Sequence, residues 1–177
     1  ELKFSPEKSE ATRKMTFLKN YNKESSTELT EKEAKDFIKR CEEKIAELEG
    51  GERAVAFASG MAAISTALLS LLRAGDRVVA HSKMYSASDT LFGQYLPGLG
   101  IEVDMTDLTD SAKMKKALSR PAKVLFIETP ANPMVEIIDI PAAAKLARAS
   151  GCVTIVDSTW ASPYLMRPLE LGANLVA

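Results

Sequence analysis

The sequence predicts an α/β fold, a mostly parallel sheet with helices on both faces. Three observations carry this. From Arg53 onward, short apolar runs alternate with segments of helical period, as in chains where a crossover helix follows each strand. Runs such as Val124-Leu125-Phe126-Ile127 and Val153-Thr154-Ile155-Val156 are near-continuously apolar, the pattern of strands covered on both sides. Turn signals, Ala74-Gly75-Asp76, Pro97-Gly98 and Ser150-Gly151, separate most of the pieces.

The elements follow in order. Residues 1–29 are polar with scattered aromatics, which predicts an extended arm holding at most one short helix. Thr30 and Glu33 have the spacing of a capping box. Behind them Ala34, Phe37, Ile38, Cys41, Ile45 and Leu48 form one apolar stripe. Gly50-Gly51 closes that helix. Strands are then expected at Arg53–Ala58, Arg77–His81, Ile101–Met105, Lys123–Glu128 and Cys152–Asp157, with another starting at Asn174. Helices are expected at Met61–Leu72, Ser86–Leu96, Ala112–Ser119 (capped by Asp110 or Ser111) and Pro141–Ser150. Residues 1–49 thus form an arm and first helix, and residues 50–177 an α/β domain. There is no internal repeat and no low-complexity segment.

Composition narrows the function. The chain has 177 residues, 46% hydrophobic and 27% charged, as in an ordinary globular protein. Its 23 basic and 24 acidic side chains leave a net charge of −1. That balance gives no reason to expect nucleic acid or an anionic membrane as partner. Cys41 and Cys152 both sit in apolar patterns, where free cysteine usually packs. With no CxxC pair and one histidine, His81, no metal site is expected. The start Glu1-Leu2-Lys3-Phe4 has no signal-peptide core, and no window approaches the ~18 apolar residues of a membrane helix. A reducing cytoplasm is the expected setting.

Ligands of parallel sheets bind at the carboxyl ends of the strands. At Ala58-Ser59-Gly60-Met61, Ser59 can cap a helix, Gly60 can let a ligand approach, and the first-turn N–H groups can seat a phosphate. An ordinary capped turn explains the same residues. Neither a Walker loop nor GxGxxG is present. Tyr85 can stack on a flat ligand or use its hydroxyl as acid or base, or can be a half-buried helix-start tyrosine. His81, ending a strand, suits a structural hydrogen bond. Asn132, between Pro130 and Pro133, can offer a fixed amide to a ligand oxygen or form an Asx turn. Asp157 ends an apolar strand, so its carboxylate is expected to be buried and to need a cation or several donors. A helix N-cap or structural ion pair would serve as well as a protonated pyridine nitrogen. Taken together, these residues place a phosphate seat, a stacking ring, an oxygen-binding amide and a carboxylate at one edge of one sheet. Those are the parts that hold pyridoxal phosphate and keep its pyridine protonated.

At these residues the sequence resembles the Cys/Met-metabolism family of pyridoxal-phosphate enzymes, which includes cystathionine γ-synthase, cystathionine lyases, methionine γ-lyase and O-acetylhomoserine sulfhydrylase. The matching segments are Leu48-Glu49-Gly50-Gly51-Glu52, Ser59-Gly60-Met61-Ala62-Ala63, Glu128 through Pro133, Val156 through Tyr164 and Arg167 through Ala173. The resemblance implies the large domain of the aspartate-aminotransferase fold (fold type I), and homodimers or homotetramers with sites at subunit interfaces. It implies β/γ-elimination or γ-replacement on sulfur amino acids or activated homoserine. Gly60 and Met61 would bind the cofactor phosphate, and Tyr85 would stack on the ring and help protonate a leaving group. Asn132 would lie near the ring hydroxyl, Asp157 would pair with the ring nitrogen, and Thr159 would lie beside the ring.

The sequence also departs from the family. The Schiff-base lysine, in a Ser-x-Thr-Lys segment, is expected beyond Ala177, as is the C-terminal domain with its carboxylate-gripping arginine. The chain is therefore expected to be a fragment of a longer protein, inactive alone. Thr30-Glu31-Lys32 and Lys35-Asp36-Phe37 stand where the family carries Tyr-Ser-Arg and Asn-Pro-Thr, so reach into a neighbour's phosphate site is lost or altered. Ser158 and Trp160 replace the common asparagine and phenylalanine. Ala87 stands where methionine γ-lyases tend to carry cysteine, which argues mildly against that activity. Two alternatives remain, a non-catalytic cofactor binder acting as an interaction subunit and an unrelated nucleotide-binding α/β domain.

Overall fold

A computed structural model describes residues 29–177; the N-terminal arm predicted for residues 1–29 lies almost wholly outside them. The described chain divides at Ala46. Helix α1 (Glu31–Glu49) begins before that point, and Ala46–Ala177 form one compact unit. The capping box forms as expected. The Thr30 amide donates to Glu33 Oε2 at 2.8 Å, and the Glu33 amide donates back to Thr30 Oγ1 at 3.3 Å. The helix ends at Gly50, whose φ of +70° costs a non-glycine residue strain. Gly51 follows, with its N–H on the Ala46 carbonyl at 2.8 Å. A Cβ on Gly51 would lie 3.0 Å from Leu169, so this glycine lets the 167–170 segment approach.

The remaining elements are α2 (Gly60–Leu71), β1 (Arg77–His81), α3 (Ser86–Thr90), a π-turn (Leu91–Tyr95) running into α4 (Leu96–Gly98), β2 (Glu102–Thr106), α5 (Ser111–Ala117), β3 (Val124–Glu128), α6 (Ile140–Ala149), β4 (Val153–Asp157) and β5 (Leu175–Val176). Asp110 caps α5, accepting the Ala112 and Lys113 amides. Asp139, unnoticed in the sequence, caps α6 by accepting the Ala142 amide. The strands form a single parallel sheet in the order β2-β1-β3-β4-β5. Its order reverses between β1 and β3, which opens a crevice at their carboxyl ends.

Alternate residues of each strand feed two cores. Val79, Leu125, Ile127 and Val156 face α5 and α6 with Met114, Ile140, Ala143 and Ala147. Val78, Ala80, Val124, Phe126 and Ile155 face the other side with Leu68, Leu72, Phe92 and Leu96. Helices on both faces explain why β1 and β3 are buried throughout. No described helix is long and apolar enough to cross a membrane, and no described cluster of His, Cys, Asp and Glu could hold a metal ion.

Two expectations fail. Arg53–Ala58 is not a strand: no described strand lies beside it, and Val55 and Phe57 are 68% and 43% exposed. An apolar run signals a preference for pairing, but only a neighbour's ladder satisfies its N–H and C=O groups. Cys41 is exposed while Cys152 is buried. Ile38 and Ile45, on the same stripe of α1, are also exposed, so helical period located the stripe without fixing its burial.

Phe126 is fully buried, its ring centroid 4.8 Å from that of Phe92. Phe126→Ala is expected to lower unfolding free energy by about 3–5 kcal/mol in denaturant titration.

Candidate functional site

The site is built from the loops after β1, β3 and β4. A cavity of about 240 Å³ is lined by Tyr85, Glu128, Pro130, Asn132, Asp157, Thr159 and Trp160. The structure thus gathers four of the sequence-predicted residues, Tyr85, Asn132, Asp157 and Thr159. It does not place Ser59, Gly60 or Met61 in the lining. Ser59 instead caps α2, its Oγ accepting the Ala62 amide at 3.1 Å. A Cβ on Gly60 would meet nothing within 4 Å, so the space above the first turn of α2 is open. Met61 is tied to α3 through the Ser88 hydroxyl, which donates to its sulfur at 3.5 Å.

Asp157 is 5% exposed. Its Oδ1 accepts the Thr159 amide at 3.0 Å and the Thr159 hydroxyl at 2.6 Å. Its Oδ2 has no hydrogen-bond donor among the described residues, and the residue lines the cavity. Among those residues Asp157 has no ion-pair partner, and no helix follows it to be capped. Both simple structural uses of this carboxylate are therefore absent here. A buried carboxylate that lines a cavity and keeps one oxygen unshared suits a cationic N–H donor.

Glu128 sits beside Asp157 in the register of β3 and β4 and is 3% exposed. The Tyr85 amide donates to its Oε2 at 2.8 Å and Oε1 at 3.1 Å, and the Asn132 amide donates to Oε1 at 2.9 Å. Burial pushes the Glu128 carboxyl above the usual carboxylate range. The two amides pull it back, and the neighbouring Asp157 pushes it further up. Glu128 is not among the sequence-predicted site residues. The available signal was the one that singled out Asp157, a charged residue closing an apolar strand. Pro130 and Trp160 were not selected either.

The Tyr85 hydroxyl and the Asn132 side-chain amide have no hydrogen-bond partner among the described residues and line the cavity. No lysine lines it among those residues. His81 is structural, as expected. Fully buried, it accepts the Leu108 amide at Nδ1 (3.2 Å), which leaves the Nε2 proton for Glu136 at 3.1 Å.

Lys83 donates to the other oxygen of Glu136 at 3.0 Å. This bond, with the weaker contribution of His81, holds the Glu136 carboxyl below its usual range. A depressed folded-state pKa gives stability that is present above the unfolded value and lost as pH falls through the folded one. Glu136→Gln is therefore expected to lower the urea midpoint near neutral pH. The difference from the parent should shrink as pH falls below about 4.

Comparison with known proteins fits this geometry. Residues 31–177 match the family described as Cys/Met metabolism PLP-dependent enzyme. The chain is 41% identical over 139 residues to O-succinylhomoserine sulfhydrylase of Pseudomonas aeruginosa, covering 78% of this chain and 34% of that one. It is 44% identical over 136 residues to L-methionine gamma-lyase of Fusobacterium nucleatum subsp. polymorphum, covering 76% and 34%. The solved cystathionine gamma synthase of Xanthomonas oryzae pv. oryzae superposes with a TM-score of 0.78 at 35% identity, over 80% of this chain and 36% of that one. The aspartate-aminotransferase type of large domain is thus the fold of the described residues. The chain spans about a third of the length of the curated relatives it matches. With its fold, its strand-end cavity and its sequence in agreement, the chain belongs to the Cys/Met-metabolism family of pyridoxal-phosphate-dependent enzymes.

Proposed function

We propose that this chain provides the non-covalent cofactor seat of a pyridoxal-phosphate lyase or transferase. The enzyme performs β/γ-elimination or γ-replacement on sulfur amino acids or activated homoserine, as a cytoplasmic homodimer or homotetramer. One observation carries the reading, the unshared Asp157 Oδ2 in the cavity.

The residues fit the cofactor by their chemistry. Asp157 would hold a proton on the pyridine nitrogen, while Thr159 keeps the opposite carboxylate oxygen occupied. The Tyr85 ring would cover the pyridine, and the Asn132 amide would donate to its hydroxyl oxygen. Ordinary ligand pockets enclose roughly 300–1,000 Å³. The present cavity, about 240 Å³, suits the ring alone. The phosphate would then lie outside it, on the Gly60 and Met61 amides at the start of α2. When bound, the cofactor supplies an electron sink for a carbanion next to the substrate nitrogen. The Tyr85 hydroxyl would deliver a proton to the departing group.

Ala87 argues mildly against methionine γ-elimination and leaves synthase, sulfhydrylase and cystathionine-lyase chemistry open.

Pyridoxamine 5′-phosphate tests the seat, because it lacks the aldehyde that reacts with surface lysines. Trp160 lines the cavity and is the one tryptophan of the sequence, so its fluorescence reports binding. Asp157→Asn is expected to weaken binding roughly 10- to 100-fold, the loss of one charge-assisted hydrogen bond. Equal affinity of the two proteins, or no binding by the parent, would overturn the reading.

A further inference from the structure

The cavity residues Tyr85 and Asn132 come from different loops, and neither loop is part of the sheet's ladder. Both follow strands that flank the point where the strand order reverses, and the pairing of β1 with β3 stops, at Ala80 and Phe126, short of them. Their side chains make no hydrogen bonds to described residues, so only their backbones hold them. Both backbones are anchored on Glu128. Its carboxylate takes the N–H of Tyr85 with both oxygens and the N–H of Asn132 with one. Tyr85 has extended geometry immediately before α3 (φ −54°, ψ 139°) and no side-chain cap of its own. Its free N–H therefore needs an acceptor from elsewhere, and Glu128 supplies it.

We infer that Glu128 is a positioning residue that preassembles the cavity by clamping the Tyr85 and Asn132 backbones in one carboxylate. The inference rests on the cofactor-seat reading above and adds how the seat is held ready. A ligand entering a preformed cavity need not order two loops, so its affinity depends on this clamp. Glu128 itself need touch no ligand atom; its effect passes through the stacking ring and the amide that the two backbones carry.

Chemistry separates the possible substitutions. Glu128→Gln keeps one acceptor oxygen and turns an NH₂ group toward a backbone N–H, so it can serve one loop but not both. Glu128→Ala serves neither. A merely structural role would lower stability without selecting these two loops.

Amide hydrogen exchange of the ligand-free protein, read by mass spectrometry, tests this directly. With Glu128→Gln, exchange is expected to quicken about tenfold or more in peptides containing Tyr85 or Asn132, as the loss of a hydrogen bond to a charged group implies. Peptides from β1, β3 and β4 should keep their protection. Pyridoxamine 5′-phosphate affinity, read from Trp160 fluorescence, should fall about tenfold in the same variant. Glu128→Ala should quicken exchange in both loops. If it fails to fold, Glu128→Gln decides alone. Unchanged exchange in the two loops, or a uniform quickening that includes the strands, would overturn the clamp. Failure of the parent to bind pyridoxamine 5′-phosphate would sink the cofactor reading, while the exchange result would still decide the role of Glu128.

Discussion

A parallel strand packed on both faces has no water along its length, so its polar side chains collect at its ends. That constraint organises this molecule. β1 runs through Val78, Val79 and Ala80 with Arg77 at one end and His81 at the other, all buried. β3 is apolar until Glu128, and β4 reaches Asp157 after a single buried hydroxyl residue, Thr154. At the amino end, the Arg77 guanidinium meets Asp104 and donates to the Ala117 and Arg120 carbonyls at 3.0 and 3.2 Å. Charge there is matched within the chain. At the carboxyl end, among the described residues, it is not, and the excess is negative.

Glu128 and Asp157 show how that excess is handled. They are register partners on adjacent strands, both nearly inaccessible. Burying an ionised carboxylate costs several kcal/mol unless donors offset it, and each hydrogen bond to a charged group returns about 1.5–3 kcal/mol. Glu128 receives amides from two loops and Asp157 receives both donors of Thr159. The difference lies in what remains. Both Glu128 oxygens are engaged, whereas Asp157 keeps Oδ2 unshared beside the cavity. Two like residues at one level of the sheet thus differ: Glu128 has both oxygens bonded to loop amides, while Asp157 keeps one oxygen without a donor among the described residues. His81, at the end of β1, and Lys83, in the loop after it, add a second link, through Glu136, to the loop after β3.

Local signals were the most legible in the sequence. The capping box at Thr30 and Glu33, the cap at Asp110 and the glycine end of α1 depend on residues a few positions apart, and each formed. The strand-end residues Tyr85, Asn132, Asp157 and Thr159 were legible because parallel topology puts all such ends on one edge. What escaped depends on distant partners. Arg53–Ala58 carries a strand's composition, but pairing is decided by whichever segment lies beside it. Glu128 escaped because its partners are main-chain N–H groups 43 and 4 residues away, and a backbone donor leaves no trace in residue type. Asp157 was found only because a buried acid without a visible partner poses a question that sequence can state.

The two halves of the proposed cofactor seat are held by different physics. The proposed ring side rests on two loops joined through the buried Glu128 carboxylate at the end of β3. The proposed phosphate side is the first turn of α2, fixed by the Ser59 cap and by Met61 against Ser88, with open space above Gly60. A helix N-terminus attracts an anion through unpaired N–H groups and the helix dipole, an interaction that tolerates small shifts in position. A stacked ring with a single carboxylate partner tolerates them poorly. Misplacement of the ring is therefore the costlier error, and it is on the ring side that the structure concentrates its buried hydrogen bonds.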